Sequence, residues 1–317
     1  MNMSLSDHLG VTEYVLNAPS PFKKVFSDGV ELSERTENGI TISTIRTRLG
    51  ELEQRVNHGF IVKPYVTAPE DLVVFLEFVK SWRYELLPEE ISEIRRMKTL
   101  VGENGILWNF GSGTPLGMMY RVYSDIKSIV YMMADIPERM RELFDIMEDQ
   151  YQREITLILE STPEIDVFVG IDDTSTTLVS PSMFAECNSK LTDRRADIAA
   201  DHDRYYMHHS CGLLRDLLPV YGKTRMHGVH AFCRPPIGNV TYREGRKLLG
   251  DKISIAGNMQ VGLHFPDKET QARFARDACE DAKAAGCVMF YITTPNSYHS
   301  IDFMRIGFEE AWKHLKY

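Results

Sequence analysis

No stretch of this chain stays apolar for the roughly 20 residues that a membrane-spanning helix needs; the longest apolar windows are of strand length and broken by charge. A spanning helix is excluded, and no membrane partner is expected. Positive charge is scarce too: the formal net charge is -9 and Lys and Arg are scattered, leaving no basic patch for nucleic-acid phosphates or anionic lipid. No nucleic-acid partner is expected. Met1 to Ala18 lacks a basic start followed by an apolar run and a cleavage site, which makes the cytoplasm the expected compartment.

Cysteine is sparse and odd in number. The five residues, Cys187, Cys211, Cys233, Cys279 and Cys287, are expected to be reduced thiols, open to metal binding, rather than a disulfide framework. A dinucleotide fingerprint is also missing: Gly111-Ser112-Gly113 has no third glycine in place, and Gly117 is wrongly spaced. What is present is globular, with 43% apolar residues and 10% aromatics, and 317 residues suit one α/β barrel with an extra N-terminal piece.

Residues 1–100 read as an appendage. Turn signals at Ser27-Asp28-Gly29 and Glu37-Asn38-Gly39 flank Val30-Glu31-Leu32, and Ile40 to Ile45 follows, a β-hairpin pattern that continues through Gly50-Glu51-Leu52 to Val62 to Tyr65. Thr67 is the expected N-cap of a helix carrying Leu72, Phe75, Leu76 and Val79 on one face, and a polar helix is expected over 89–101.

From residue 101 to 317 the pattern alternates strand and helix. Six continuous apolar runs read as buried parallel strands: Ile106 to Phe110, Val167 to Ile171, Arg204 to His209, Met226 to Cys233, Ile253 to Asn258 and Val288 to Thr293. Polar or reactive residues recur where these runs end. They are Asp172 and Asp173, His209 and Cys211, Cys233 and Arg234, Asn258, and the segment from Thr293 through Tyr298 to His299. In a parallel α/β fold those loops open on one face, where ligands bind.

The centre of this pattern is His209-Ser210-Cys211. Residues two apart on a strand point the same way, so an imidazole and a thiolate can aim at one point, as a soft metal such as zinc requires. The plain alternative is a strand-end histidine beside a buried cysteine.

The segments Ser180 to Phe184, His209 to Gly212, Arg215 to Pro219, Pro235 to Val240 and Leu249 to Asn258 together resemble the uroporphyrinogen decarboxylase superfamily, and within it the branch of zinc- and corrinoid-dependent methyltransferases. The resemblance spans about residues 105–300 and implies a TIM-type (β/α)8 barrel with its site at the strand C-termini. The Arg-Gln-Ala-Gly-Arg-Tyr segment of true uroporphyrinogen decarboxylases has no counterpart here. The methyltransferases carry a third cysteine after the last strand, where this chain reads Thr293-Thr294-Pro295-Asn296.

Cys287 begins its strand, about 20 Å from the C-terminal end at roughly 3.3 Å per residue, and so belongs to the wrong face. The expected metal ligands are therefore His209, Cys211 and Cys233, with His299 or one of Asp172 and Asp173 as the other candidates for third place. Asp172, Asp173 and Arg234 are the expected catalytic groups, and Asn258, Tyr298 and His299 the expected substrate contacts.

With six strands clear, a closed barrel needs two more from residues 1–100, such as Ile61 to Val66; otherwise the barrel is incomplete at its N-terminal strands and a partner chain or second copy covers the gap. The resemblance implies methyl transfer between a corrinoid on a partner protein and a zinc-activated small-molecule thiol, Arg234 gripping an anionic group on the substrate. A metal-free lyase acting on a carboxylated substrate through Asp172 and Arg234, a non-catalytic partner subunit, and a metal-dependent hydrolase are the competing readings. The last is weakened by the lack of a His-x-His pattern.

Overall fold

The computed structural model describes residues 15–27, 29–102, 105–260, 265–286, 288–293 and 301–314. Among these residues no helix is long and apolar enough to cross a membrane.

The chain enters through β1 (Val15–Ala18), runs along β2 (Phe22–Phe26), and then builds an antiparallel meander of β3 (Glu31–Glu37), β4 (Ile40–Thr47), β5 (Gly50–Asn57) and β6 (Phe60–Lys63). Two of its turns are made by Asn38-Gly39 and His58-Gly59, all four with positive φ, the backbone that matches the right-handed twist of a tight hairpin. One face of the meander, with Ile45 and Leu52, packs on the helix Asp71–Lys80 through Val74 and Phe75. Gln54 donates from Nε2 to the Val122 carbonyl at 2.6 Å, which ties the meander to the rest of the chain.

That helix begins at Asp71 rather than at Thr67. The Asp71 carboxylate accepts from the Thr67 and Ala68 amides at 2.8 and 3.0 Å, so it closes a turn before the helix that the Thr67 capping pattern does not anticipate. Next, β7 (Trp82–Leu86) pairs antiparallel with β2, and the polar helix runs over Pro88–Val101.

The remaining strands are β8 (Ile106–Ser112), β9 (Val167–Ile171), β10 (Tyr205–His209), β11 (Gly228–Cys233), β12 (Ser254–Gln260) and β13 (Val288–Thr293). With β1 they form a seven-stranded parallel sheet in the order β1-β8-β9-β10-β11-β12-β13, curled into a half-barrel with helices around it. The seventh strand is thus Val15–Ala18, whereas Ile61 and its neighbours belong to the antiparallel meander. At four residues β1 is too short to show as an apolar run. Its exit is fixed by Asn109, whose Nδ2 donates to the Pro19 carbonyl at 3.0 Å. Among the described residues no strand joins β13 to β1.

Strand alternation divides the sheet into two faces. Trp108, Val167, Val169, Met207 and Ala256 cluster on the concave face. Leu107, Phe168, Tyr206, Val229, Phe232 and Ile255 join the main core beneath the helices, including Pro137–Ser161 and Ser189–Asp201. In that layer Arg195 and Glu148, 1% and 3% exposed, form an ion pair at 2.8 Å, and Arg195 also donates to the Ser112 carbonyl.

Candidate metal centre

β9 and β10 run side by side with Ile171 opposite His209, so the residues that follow each strand leave the sheet together. The Asp173 amide donates to the His209 carbonyl at 3.1 Å, and the Ser210 amide to the His230 carbonyl at 2.9 Å, extending the ladder past the strand ends. Alternation then sorts six residues into two sets. Asp173, His209 and Cys211 gather on one side, while Asp172, His208 and Ser210 turn into the protein.

The first set brings an oxygen, a nitrogen and a sulfur together, one ligand atom from each lying within 4.8 Å of the others. Asp173 Oδ1 is 2.8 Å from His209 Nε2, and the Cys211 thiol points at the same oxygen from 3.7 Å. The second Asp173 oxygen accepts from Arg121 Nε, and Arg121 Nη1 reaches the Ile171 carbonyl at 2.9 Å. Asp173 itself has φ +51, a left-handed backbone in which few residues other than glycine, asparagine and aspartate are found. Behind His209, its Nδ1 lies 2.8 Å from Nδ1 of His230 on β11.

The second set is a closed hydrogen-bond network. Asp172 and His208, both 0% exposed, approach at 3.2 Å through Oδ2 and Nδ1. Asp172 Oδ1 accepts from the Thr114 amide at 2.8 Å and from the Thr114 hydroxyl. On its other side His208 Nε2 meets Thr174 Oγ1 at 2.8 Å, and Thr174, Ser210 and Tyr221 interlock at 2.6 to 3.0 Å. Buried polar groups are costly unless paired, and a paired network fixes the loops that carry it.

A loop after β8 completes the support. A Cβ on Gly113 would sit 2.2 Å from the Ile171 carbonyl oxygen, and one on Gly117 2.3 Å from Asp172 Oδ1, so close approach explains these glycines without invoking a phosphate. The chain then makes a π-helical turn over Met119–Tyr123 that presents Arg121 to Asp173 and lets the Tyr120 hydroxyl donate to the Asp172 carbonyl. Such wide turns are frequent at functional sites.

Electrostatics follow from this packing. Burial works to raise the Asp173 pKa, but the hydrogen bond and charge of His209, with Arg121, outweigh it and bring the carboxyl down to about 2. Burial first, then the Asp173 carboxylate, pushes the Cys211 thiol up to about 12. Burial, then His209, pulls His230 down to about 3. His208 is lowered by burial, against the opposing charge of Asp172.

The donor set fits a divalent metal. Ligands at roughly 2.0–2.3 Å around a tetrahedral zinc are about 3.3–3.8 Å apart, close to the spacings seen here. A cation would also relieve the cost of ionising Cys211 beside Asp173. Three protein ligands leave a fourth position for an exogenous group, the pattern of catalytic zinc.

Cys233 lies outside this group, although the sequence favoured it as third ligand. Its thiol is turned to the Ala231 carbonyl at 3.1 Å, and Asp173 occupies the third place. Arg234 Nε donates to Asp281 at 2.8 Å; that buried carboxylate also accepts from the Tyr242 amide at 2.7 Å, so the guanidinium is committed to helix anchoring. Asn258 lies on β12 opposite Cys233 and Tyr291. Cys287, Tyr298 and His299 fall outside the described residues.

Cys187 is partly buried in the turn Phe184–Asn188, and Cys279 is buried in the helix Lys268–Ala285. Two residues of the site were not singled out in the sequence. Arg121 carried no motif, whereas His230 was visible as a histidine inside the apolar run beside the His-x-Cys strand.

No protein-family model matches the chain, and no curated protein matches it in sequence. Among solved structures, a D-psicose 3-epimerase overlaps 71% of this chain and 82% of its own length at 10% identity and a TM-score of 0.38. A GH5_18 protein from Bifidobacterium longum subsp. infantis overlaps 73% of this chain and 66% of its own at 11% identity, again with a TM-score of 0.38. The strong likeness is to a methyltransferase from Methanosarcina mazei, at 14% identity over 99% of this chain and 84% of that one, with a TM-score of 0.62. At that identity the likeness is one of fold: this chain has the architecture of the M. mazei methyltransferase.

Proposed function

We propose that the chain is a methyltransferase of the uroporphyrinogen decarboxylase superfamily, moving a methyl group between a corrinoid on a partner protein and a small thiol activated at zinc. The observation that carries this reading is the meeting of Asp173 Oδ1, His209 Nε2 and Cys211 Sγ within 4.8 Å where β9 and β10 end. Zinc held there would supply a Lewis acid at which an incoming thiol is stable as its thiolate at neutral pH.

The chain's own residues do the rest. His209 gives a neutral donor, and Asp173 and Cys211 give two anionic ones, so that the charge of a divalent ion is balanced before substrate arrives. Arg121 keeps Asp173 aimed and sets a positive charge beside a site that becomes anionic when a thiolate enters. Asp173 takes the place that a third cysteine holds in the resembling methyltransferases. The buried Asp172-His208-Thr174 network stops both loops from drifting, which preorganises the donors.

A metal-free lyase is less well supported, because Asp172 is enclosed with Thr114 and His208, and Arg234 with Asp281. The exposed edges of an open parallel sheet favour a second chain, either another copy or the corrinoid protein. Light scattering of the purified chain, alone and with a candidate corrinoid protein, tests that part.

The activity test is loss of methyl–cobalt absorbance from methylcobalamin, followed with zinc-loaded protein and a panel of small thiols. The proposal expects a methylated thiol to appear with wild-type protein and not with Cys211→Ser. Failure to methylate any thiol from either free or protein-borne methylcorrinoid contradicts it.

A further inference from the structure

His230 sits where β11 is irregular. The strand is in register with β12 at Val229 opposite Ile255 and again at Phe232 opposite Gly257, so His230 and Ala231 together face one residue of the neighbour. That is a β-bulge, a device that re-aims a side chain and is over-represented beside active sites. Ala231 has φ +63, a left-handed conformation that costs an L-residue about 1–2 kcal/mol. Strain of this kind persists only where the surroundings over-determine it.

What the bulge achieves is the placement of one ring. His230 is 5% exposed and is gripped edge-on by Trp108 at 4.7 Å and Phe110 at 5.2 Å between centroids. Its Nδ1 is thereby held 2.8 Å from Nδ1 of His209, a distance at which the two nitrogens share a single hydrogen. If His209 is to offer the lone pair of Nε2 toward Asp173 and Cys211, its own hydrogen must sit on Nδ1 and needs an acceptor there. A metal-binding imidazole ordinarily finds that acceptor in a carboxylate, carbonyl or water.

The geometry points to His230 as a positioning residue for metal binding, the acceptor that fixes the tautomer and direction of the His209 ring. This rests on the metal-centre reading above, and the test keeps the two apart. Zinc affinity is measured by chelator competition, and the cobalt(II)-substituted absorption spectrum recorded, for wild type, His230→Gln and His230→Met; near-ultraviolet circular dichroism checks the folding of each. Gln keeps an acceptor at this position and Met, of similar length, does not.

Loss of an outer partner of a metal-bound histidine typically costs roughly 10–100-fold in affinity. His230→Met is expected to weaken zinc by that factor and to alter the cobalt spectrum, with Gln staying near wild type. Should Met not fold, His230→Phe gives the same comparison while preserving the ring contacts. Equal affinity of wild type and the acceptor-less variant, or equal weakening by Gln and Met, overturns the role of His230 while leaving the metal centre standing. A wild-type protein that binds neither zinc nor cobalt overturns the metal reading, and this inference with it.

Discussion

Asp172 Oδ2 lies 3.2 Å from His208 Nδ1, and one residue further along each strand the pairing is repeated, with Asp173 Oδ1 2.8 Å from His209 Nε2. The inner pair is sealed and the outer pair is partly open to solvent. Two adjacent carboxylates and two adjacent imidazoles thus have different tasks, assigned by which face of the sheet each side chain leaves.

The inner pair is expected to matter for stability. Asp172→Ala removes the acceptor used by the Thr114 amide and hydroxyl and leaves His208 without its carboxylate. Each buried donor orphaned in this way costs roughly 1–3 kcal/mol. A drop of at least about 2 kcal/mol in urea unfolding, with an unchanged slope, is the expected result.

A second stability test is remote from the site. Arg195→Leu strands the Glu148 carboxylate in the layer between sheet and helices. Removing one partner of a buried ion pair typically costs roughly 3–5 kcal/mol. The variant should show that loss in chemical denaturation while keeping full zinc affinity, since Arg195 touches none of the three donors.

The outer pair predicts an acid limb. Asp173 is depressed to about 2 in the folded protein, from the ordinary 3.8. The stabilisation this represents is present above about pH 4 and is lost as pH falls toward 2, because the unfolded chain takes up the proton first. For metal-free protein the urea midpoint should fall over that window less steeply in Asp173→Asn than in wild type.

Cys211 predicts the opposite limb. With the thiol raised to about 12 when no metal is present, metal-free protein at pH 8 holds roughly 10³-fold less thiolate at this position than a free cysteine does. Its alkylation by iodoacetamide, located by peptide mass mapping, should be slow and should rise with pH well beyond 9. The linked stabilisation is complete below about pH 9 and declines above it, as the unfolded thiol ionises first.

How much was legible in advance follows from range of interaction. Six strands of the parallel sheet showed as apolar runs because both their faces are buried; β1 did not, since four residues ending in Pro19 carry too little pattern. Leu213 to Leu217 read as helix, but only Leu218–Tyr221 is helical: the Asn239 side chain accepts from the Leu214 and Arg215 amides and so satisfies them outside a helix. A residue 25 positions away in sequence decides that segment.

At the site, period-two alternation was enough to pair His209 with Cys211. It could not choose between Asp172 and Asp173, a choice made by the positive φ of Asp173 and by the π-helical turn that brings Arg121 to it. Nor could it show that Cys233 turns to the Ala231 carbonyl, because the bulge in β11 breaks the alternation there.

The central claim is that Asp173, His209 and Cys211 form a metal centre, and zinc stoichiometry tests it most directly. Elemental analysis of reduced protein purified without chelators should give about one zinc per chain in wild type, and a loss of most of it in Cys211→Ser and Asp173→Ala. Absence of zinc from the wild type, or its full retention in Cys211→Ser, would contradict the account.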